Sequence, residues 1–392
     1  MRVPARFLEP VDLFSDDEHL TEMAAALRLS VLDQSPVPAG RTPADALANS
    51  LDLARHVDAL GYTRLWYSEH HAMDLLACTA PELLITRAAA ATKRIRVGSG
   101  GIMLPHYSPY KVAEVFRTLH AMFPGRIDLG VGRAPGGGQL EAYALRRTRQ
   151  GPAVDDFPQQ LAELRAFLHP ERFPANHPFA RLRVSPAMPG APDLWLLGSS
   201  MWSSVTAAQE GLPYAFAHFF SAQGTREAIH YYRRNFTPGP DRSEPEATIA
   251  IGVICAPTQD EAEFLHASVR LLQRRIRMDD RRPVATPEDA LRELETGPAV
   301  PDPLLPFTVG SLDQPEAEFP RYLVGTPDRV AEELTSIARD LEIGELIVNT
   351  ITHSHEARLR SYELLAKAMG LRETESRSHP TQVVVPTEAR SA

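Results

Sequence analysis

Cysteine is nearly missing from these 392 residues. Cys78 and Cys255 stand far apart in different predicted elements, which excludes a disulfide framework and a cysteine zinc site and fits a reducing compartment. Long apolar runs are missing too. Every hydrophobic stretch is broken by charge or by Pro/Gly well short of the roughly 20 residues that span a bilayer. There is no block of Lys/Arg, and 41 basic against 50 acidic residues leave a net charge of -9, which argues against phosphodiester partners. The opening MRVPARFLEPVDLFSDDEHL has neither the apolar run of a signal peptide nor the acid-poor character of a transit peptide. The expectation is a cytoplasmic protein with no membrane or nucleic-acid partner.

What is present is alternation. Short β-branched and aliphatic runs alternate with stretches of helical period, the pattern of a parallel sheet with helical crossovers. Strand candidates fall at 27–35, 64–70, 95–104, 126–133, 193–199, 213–220, 247–256 and 344–352. Helical patterns follow them: Thr42 can cap a helix with Pro43 first, placing Leu47, Leu51, Ala54 and Val57 on one stripe before Gly61. Another starts at Pro109 with Val112, Val115, Phe116 and Leu119, and the last runs from about Glu356 to Met369, before Gly370. Eight units with mostly non-alternating strands predict a (β/α)8 TIM barrel over 27–371, with an open doubly wound sheet as the alternative. Residues 1–26 read as an N-terminal arm and 372–392 as a C-terminal tail. Proline-rich stretches at 151–192 and 297–320 read as insertions after strands 4 and 7, either exposed decoration or a lid over the mouth.

On such a barrel the chemistry gathers at the C-terminal ends of the strands. The second strand ends in Tyr67-Ser68-Glu69-His70-His71, an acid and two imidazoles suited to proton transfer near neutral pH, or else structural histidines. The third runs through Gly98-Ser99-Gly100-Gly101-Ile102-Met103, where the glycines mark either a tight bend or the close approach of a flat ligand. Arg133 ends the fourth, suited to a phosphate. The fifth ends in Gly198-Ser199-Ser200, with Ser203 on the helix that follows, offering hydroxyls and the positive end of a helix dipole, although serine-rich caps are common.

In order, Glu69-His70-His71, Gly100-Gly101-Ile102-Met103-Leu104-Pro105, Gly125-Arg126-Ile127-Asp128-Leu129-Gly130, Leu197-Gly198-Ser199-Ser200, Leu323-Val324-Gly325-Thr326-Pro327 and Thr350-Ile351-Thr352-His353 resemble the blocks of the bacterial luciferase-like monooxygenases. The resemblance is nearest to the single-chain branch of antibiotic-tailoring enzymes. It implies a barrel using reduced FMN, supplied by a separate flavin reductase, and O2 to oxidise a small organic substrate. By it, His70 is the catalytic residue beside Glu69 and His71. Arg133, Ser199 and Ser200, with Gly198 and Ser203, lie near the flavin phosphate, and Gly100, Gly101 and Met103 lie along the ring. Ser199 stands where the light-emitting catalytic subunit has an acid, and Gly132 where it has a reactive cysteine, so no thiol role carries over. Relatives pair through helices near the start of the barrel, which leaves room for a homodimer.

Three other readings stay open. A metal-dependent barrel hydrolase would gather His353 and His355 with His70 and His71 around a cation, although a partnering carboxylate at a strand end is not evident and no metal is expected. A flavin-binding relative could keep the barrel without the reaction. A deazaflavin-dependent dehydrogenase would share the architecture.

Overall fold

A computed structural model describes residues 27–145, 155–239, 242–297 and 318–371. The expected arm and tail, and most of the second proline-rich insertion, lie outside the described residues. The strands are β1 (Arg28–Asp33), β2 (Arg64–Tyr67), β3 (Arg96–Met103), β4 (Ile127–Gly132), β5 (Asp193–Gly198), β6 (Tyr214–Phe216), β7 (Ala247–Cys255), β8 (Tyr322–Gly325) and β9 (Glu345–Asn349). The helices are α1 (Pro43–Ala59), α2 (Pro81–Ala91), α3 (Pro109–Met122), α4 (Gln139–Leu145), α5 (Phe157–Leu168), α6 (Met201–Glu210), α7 (Thr225–Arg234), α8 (Gln259–Arg277), α9 (Pro287–Thr296), α10 (Pro327–Asp340) and α11 (His355–Ala368).

All eight expected strands are present, most of them shortened at the C-terminal end, where the chain peels away into the mouth. They pair in parallel from β1 to β7, and β9 returns between β7 and β1 to close a (β/α)8 barrel. The open-sheet alternative is thereby excluded. β8 is an addition to the expected set. It lies outside the barrel on the far half of β7, Gly252–Cys255, while β9 takes Ile249–Gly252.

Local rules set the helix starts. In α1 the Thr42 side chain accepts from Asp45 N–H and the Asp45 carboxylate accepts from Thr42 N–H, with Pro43 at the first position. The expected stripe is rotated, however. Ala46, Ser50, Leu53, Ala54 and Val57 are buried, while Leu47 and Leu51 sit at its edge, because Ser50 bonds to Ser35 and pulls that face inward. The insertion at 151–192 also needs correction. Part of it is α5, an ordinary crossover helix. The stretch after α5 is tied to the outer helix α3: Arg117 donates to the carbonyls of Leu168 (3.0 Å), Pro186 (3.3 Å) and Met188 (2.8 Å). At the start of α3 the Tyr110 hydroxyl donates to Arg183 O (3.0 Å), and from there the stretch follows α3 down to the start of β5.

The barrel interior is layered. The first residues of the strands form an ionic floor in which Arg64 makes two bonds to Glu345 (2.6 and 3.0 Å) and one to Asp128 (3.0 Å). Asp128 also accepts from Trp66 Nε1 (2.9 Å) and from Arg96 Nε (2.8 Å). Above lies an apolar layer of Leu32, Trp66, Trp195, Ala215, Ala250 and Ile347, with the two indoles edge to face at 5.2 Å. Among the described residues no helix is long and apolar enough to cross a membrane.

Asp128 is fully buried and balances two guanidiniums. Asp128→Ala removes a buried carboxylate from both, leaving Arg64 to Glu345 and Arg96 to Asp193, and should cost up to the roughly 3–5 kcal/mol seen when one partner of a buried pair is lost. Urea unfolding should report a loss of that size; a change under about 1 kcal/mol would show that the floor does not hold the barrel.

Candidate active site

The mouth is assembled from the residues that follow β2, β3, β4 and β5. After β2 the chain places Glu69, His70 and His71 in three different surroundings. Glu69 is fully buried. Its carboxylate accepts from His71 Nε2 (2.7 Å), from the Tyr107 hydroxyl (2.7 Å) and from the Met103 backbone N–H (3.0 Å). It therefore works as a hub joining β2 to the exit of β3 and has no face toward the opening. His71 is partly exposed, its N–H donates to Gly136 O (2.9 Å), and its ring stands edge to face with His106 at 6.0 Å. His106 in turn bonds to Pro135 O (2.7 Å).

His70, partly exposed like His71, has its N–H on Cys78 O (3.0 Å) and its Nδ1 3.1 Å from Ser68 Oγ. Burial, reinforced by the neighbouring His71, pushes its imidazole down to about 4. The expected titration near neutral pH is thus displaced. At pH 7 His70 is a neutral imidazole that offers one donor and one acceptor.

The glycine segment is a bend. The β3–β4 register shifts between Ser99 and Ile102, and the Gly100–Gly101 bond is cis. A Cβ on Gly100 would lie 2.8 Å from Leu32 Cδ1, and one on Gly101 would lie 2.8 Å from Gly130 O. Packing inside the protein therefore accounts for both glycines without a ligand. A Cβ on Gly136 would lie 3.0 Å from Met103 Cγ and 3.6 Å from His71 Cδ2, which puts Met103, at the exit of β3, on the rim beside His71.

Arg133 extends from the end of β4 to the start of α6. Its guanidinium lies 4.6 Å from the Trp202 ring centroid and pairs with the Asp155 carboxylate. Ser199 is half-buried and Ser200 exposed. Ser200 is the N-cap of α6 without a side-chain cap bond, leaving the first-turn N–H groups free of one. Gly198 is needed for closeness: a Cβ there would come 2.3 Å from Ser203 Oγ. Ser203 itself turns inward, donating to Ser200 O (2.7 Å) and meeting the Tyr214 hydroxyl (3.0 Å). Its hydroxyl stabilises the turn rather than facing the opening.

The second histidine pair does not join the first. His353 bonds to Ala39 O (3.1 Å) and His355 to Asp52 (3.0 Å), and among the described residues no three His, Cys, Asp or Glu side chains are placed to hold a metal ion. Sequence reasoning missed Tyr107, His106, Trp202 and Asp155. Trp202 lies between the singled-out Ser200 and Ser203, and Asp155 in the proline-rich stretch at 151–192; nothing in the sequence marked Tyr107 or His106.

A closed parallel barrel with histidines at its mouth and a cation set against an uncapped helix start is the frame of a barrel enzyme. A family model described as luciferase-like monooxygenase matches residues 27–341, and the chain belongs to that family of monooxygenases. The N-acetyl-S-alkylcysteine monooxygenase of Bacillus subtilis (strain 168) is 39% identical over 88% of this chain and 98% of its own. The crystal structure of apo-MsnO8 is 46% identical, covers 89% of this chain and 99% of its own, and superposes with a TM-score of 0.80. At 22% identity only the fold is shared with the oxygenating constituent of 3,6-diketocamphane monooxygenase of Pseudomonas putida, solved with FMN (88% and 98% covered, TM-score 0.63).

His218 on the chain after β6 and His266 in α8 are, like His70, pushed down to about 4 by burial. In the unfolded chain the same imidazoles take up a proton near pH 6.5. As pH falls from about 6.5 toward 4 the unfolded state binds protons that the native state refuses, so these residues subtract stability across that window and nothing above it. Melting temperature should therefore fall over that range, and His218→Asn should flatten the slope; an unchanged slope would remove His218 from the account.

Proposed function

We propose that the enzyme binds reduced FMN at the mouth, supplied by a separate flavin reductase, and uses it with O2 to oxidise a small organic substrate. The observation that carries this is Arg133 on Trp202 beside the uncapped start of α6. A guanidinium and free N–H groups converging on one spot fit a phosphomonoester, which a helix start and a planar fork both favour. Ser199 and Ser200 stand at the same turn as further donors. Asp155 pairs with the guanidinium, so an incoming phosphate takes the place of a carboxylate. Gly100, Gly101 and Met103 form the wall along which the ring would lie. FMN would supply the electrons for activating O2; the residues of this chain bind it, orient it and handle protons.

His70 is the group we assign to proton handling. As a neutral imidazole it accepts a proton from a donor at the mouth and returns it, without carrying a charge between turnovers. Glu69 acts through His71 and Met103 as a positioning residue. A thioether substrate is one chemistry this reading admits, given the relative that acts on N-acetyl-S-alkylcysteines.

Arg133→Ala removes a charge-assisted contact worth about 1.5–3 kcal/mol, so FMN affinity should drop roughly ten- to a hundredfold. Asp155→Asn frees the guanidinium from an exposed pair worth at most about 1 kcal/mol, so affinity should rise up to about fivefold. Equilibrium titration of both variants with FMN, riboflavin and a deazaflavin checks the cradle and the cofactor together. Riboflavin binding as tightly as FMN, or a deazaflavin binding tighter than either, would overturn the assignment.

His70→Asn should still take up reduced FMN while losing about 10²–10⁴-fold in turnover. The wild-type pH profile should show no limb from this residue near 6.5, its protonation lying near 4. Full turnover in the variant, with rapid-mixing spectra unchanged, would leave His70 a wall residue.

A further inference from the structure

The excursion that leaves β7 and returns as β8 carries a second guanidinium, tied to the chain after β6 and so on a different side from Arg133. Arg321, immediately before β8, is only 7% exposed. Its carbonyl accepts from Gly252 N–H (3.0 Å), which fixes it on β7, and its Nη2 donates to the carbonyl of Phe220 at the exit of β6. Nη1 of the same guanidinium is buried and has no hydrogen-bond partner, and no carboxylate pairs with Arg321 among the described residues. Burial, together with the cation of Arg277 in the last turn of α8, pulls its proton affinity down. The Gln273 Oε1 atom, on α8, is likewise buried without a partner.

The end of α8 lies over the opening. Four residues past Arg277, Arg281 donates to Ala72 O (2.7 Å) on the loop after β2 and meets Glu141 (3.4 Å) after β4. A buried guanidinium facing another cation, with an unused donor, is costly in isolation and is the arrangement that an incoming anion relieves. Next to it, Phe220 is 51% exposed and Phe219 packs on the apolar layer of the barrel. A charged donor therefore sits beside an apolar surface, some distance round the barrel from the cradle at β4 and β5.

We propose that Arg321 binds the carboxylate of the organic substrate, which makes the substrate a small carboxylic acid with an apolar body lying on Phe220. The binding step stands on this geometry alone, and its catalytic meaning rests on the monooxygenase reading above. Calorimetric titration of the full chain, with and without FMN, uses benzoate, benzamide and inorganic phosphate as probes. Benzoate should bind, with benzamide about tenfold weaker or more, since one charge-assisted contact separates them. Arg321→Met should lose benzoate by a similar factor while FMN affinity stays within about twofold. If Arg321→Met does not fold, Arg321→Lys keeps the charge without the fork and should still weaken benzoate several-fold. Equal binding of benzoate and benzamide, no benzoate uptake by the wild type, tighter binding of phosphate than of benzoate, or full benzoate affinity in the variant that folds would each overturn the proposal. Failure of the cofactor reading shows separately, as absence of FMN uptake with benzoate binding intact.

Discussion

The structure depends on Asp128 and the two guanidiniums that share it. Arg64 and Arg96 enter the barrel from the first residues of β2 and β3, and without a buried carboxylate between them the N-terminal end could not be sealed by such charges. Glu345 completes the balance from β9, the strand that closes the cylinder, so the last unit of the chain is tied to the second. With the floor fixed, Trp66 is oriented by its bond to Asp128, and Trp195 packs on it. The polar interior is confined to one end and the apolar layer to the middle. The end left to receive a ligand is the one where the strands finish.

At that end a buried acid again does the organising, on a smaller scale. Glu69 gathers an imidazole, a phenol and a backbone N–H from two different strand exits. Burial and the hydrogen bond to Glu69 raise the Tyr107 hydroxyl far above its usual range. The result is a rigid corner from which His71 reaches the opening, while His70, the residue before it, is held in the wall. Neighbours in sequence thus take different partners: His71 is held by the Glu69 carboxylate, while His70 meets the Ser68 hydroxyl.

Much of this was legible in the sequence. The eight barrel strands stand out as aliphatic runs between capped helices, and the clustering of Glu69, His70, Arg133 and Ser200 at strand exits follows once the barrel is assumed. β8 escapes such a reading because Tyr322–Gly325 is short and runs straight into Thr326-Pro327, where a helix begins. The floor escapes it for a deeper reason. Arg64, Asp128 and Glu345 look like solvent-facing charges at the edges of strands, and only closure brings residues 281 positions apart into contact. Tyr107 and Arg321 are hidden in the same way, their partners lying on other units of the barrel. The phase of α1 departs from the expected one because a serine takes a place on the buried face, where hydropathy alone prefers leucine.

The forking of β7 has a consequence for how such a chain can change. Its first half is committed to β6 and β9 and completes the cylinder, while its second half carries β8 and, through it, everything between Ala256 and Arg321. That excursion therefore begins and ends on one strand, and lengthening or rewriting it alters no pairing on which closure depends. It behaves as an exchangeable appendage clipped to a finished scaffold. A lineage can rebuild this side of the opening for a new molecule while the floor, the apolar layer and the corner around Glu69 stay as they are.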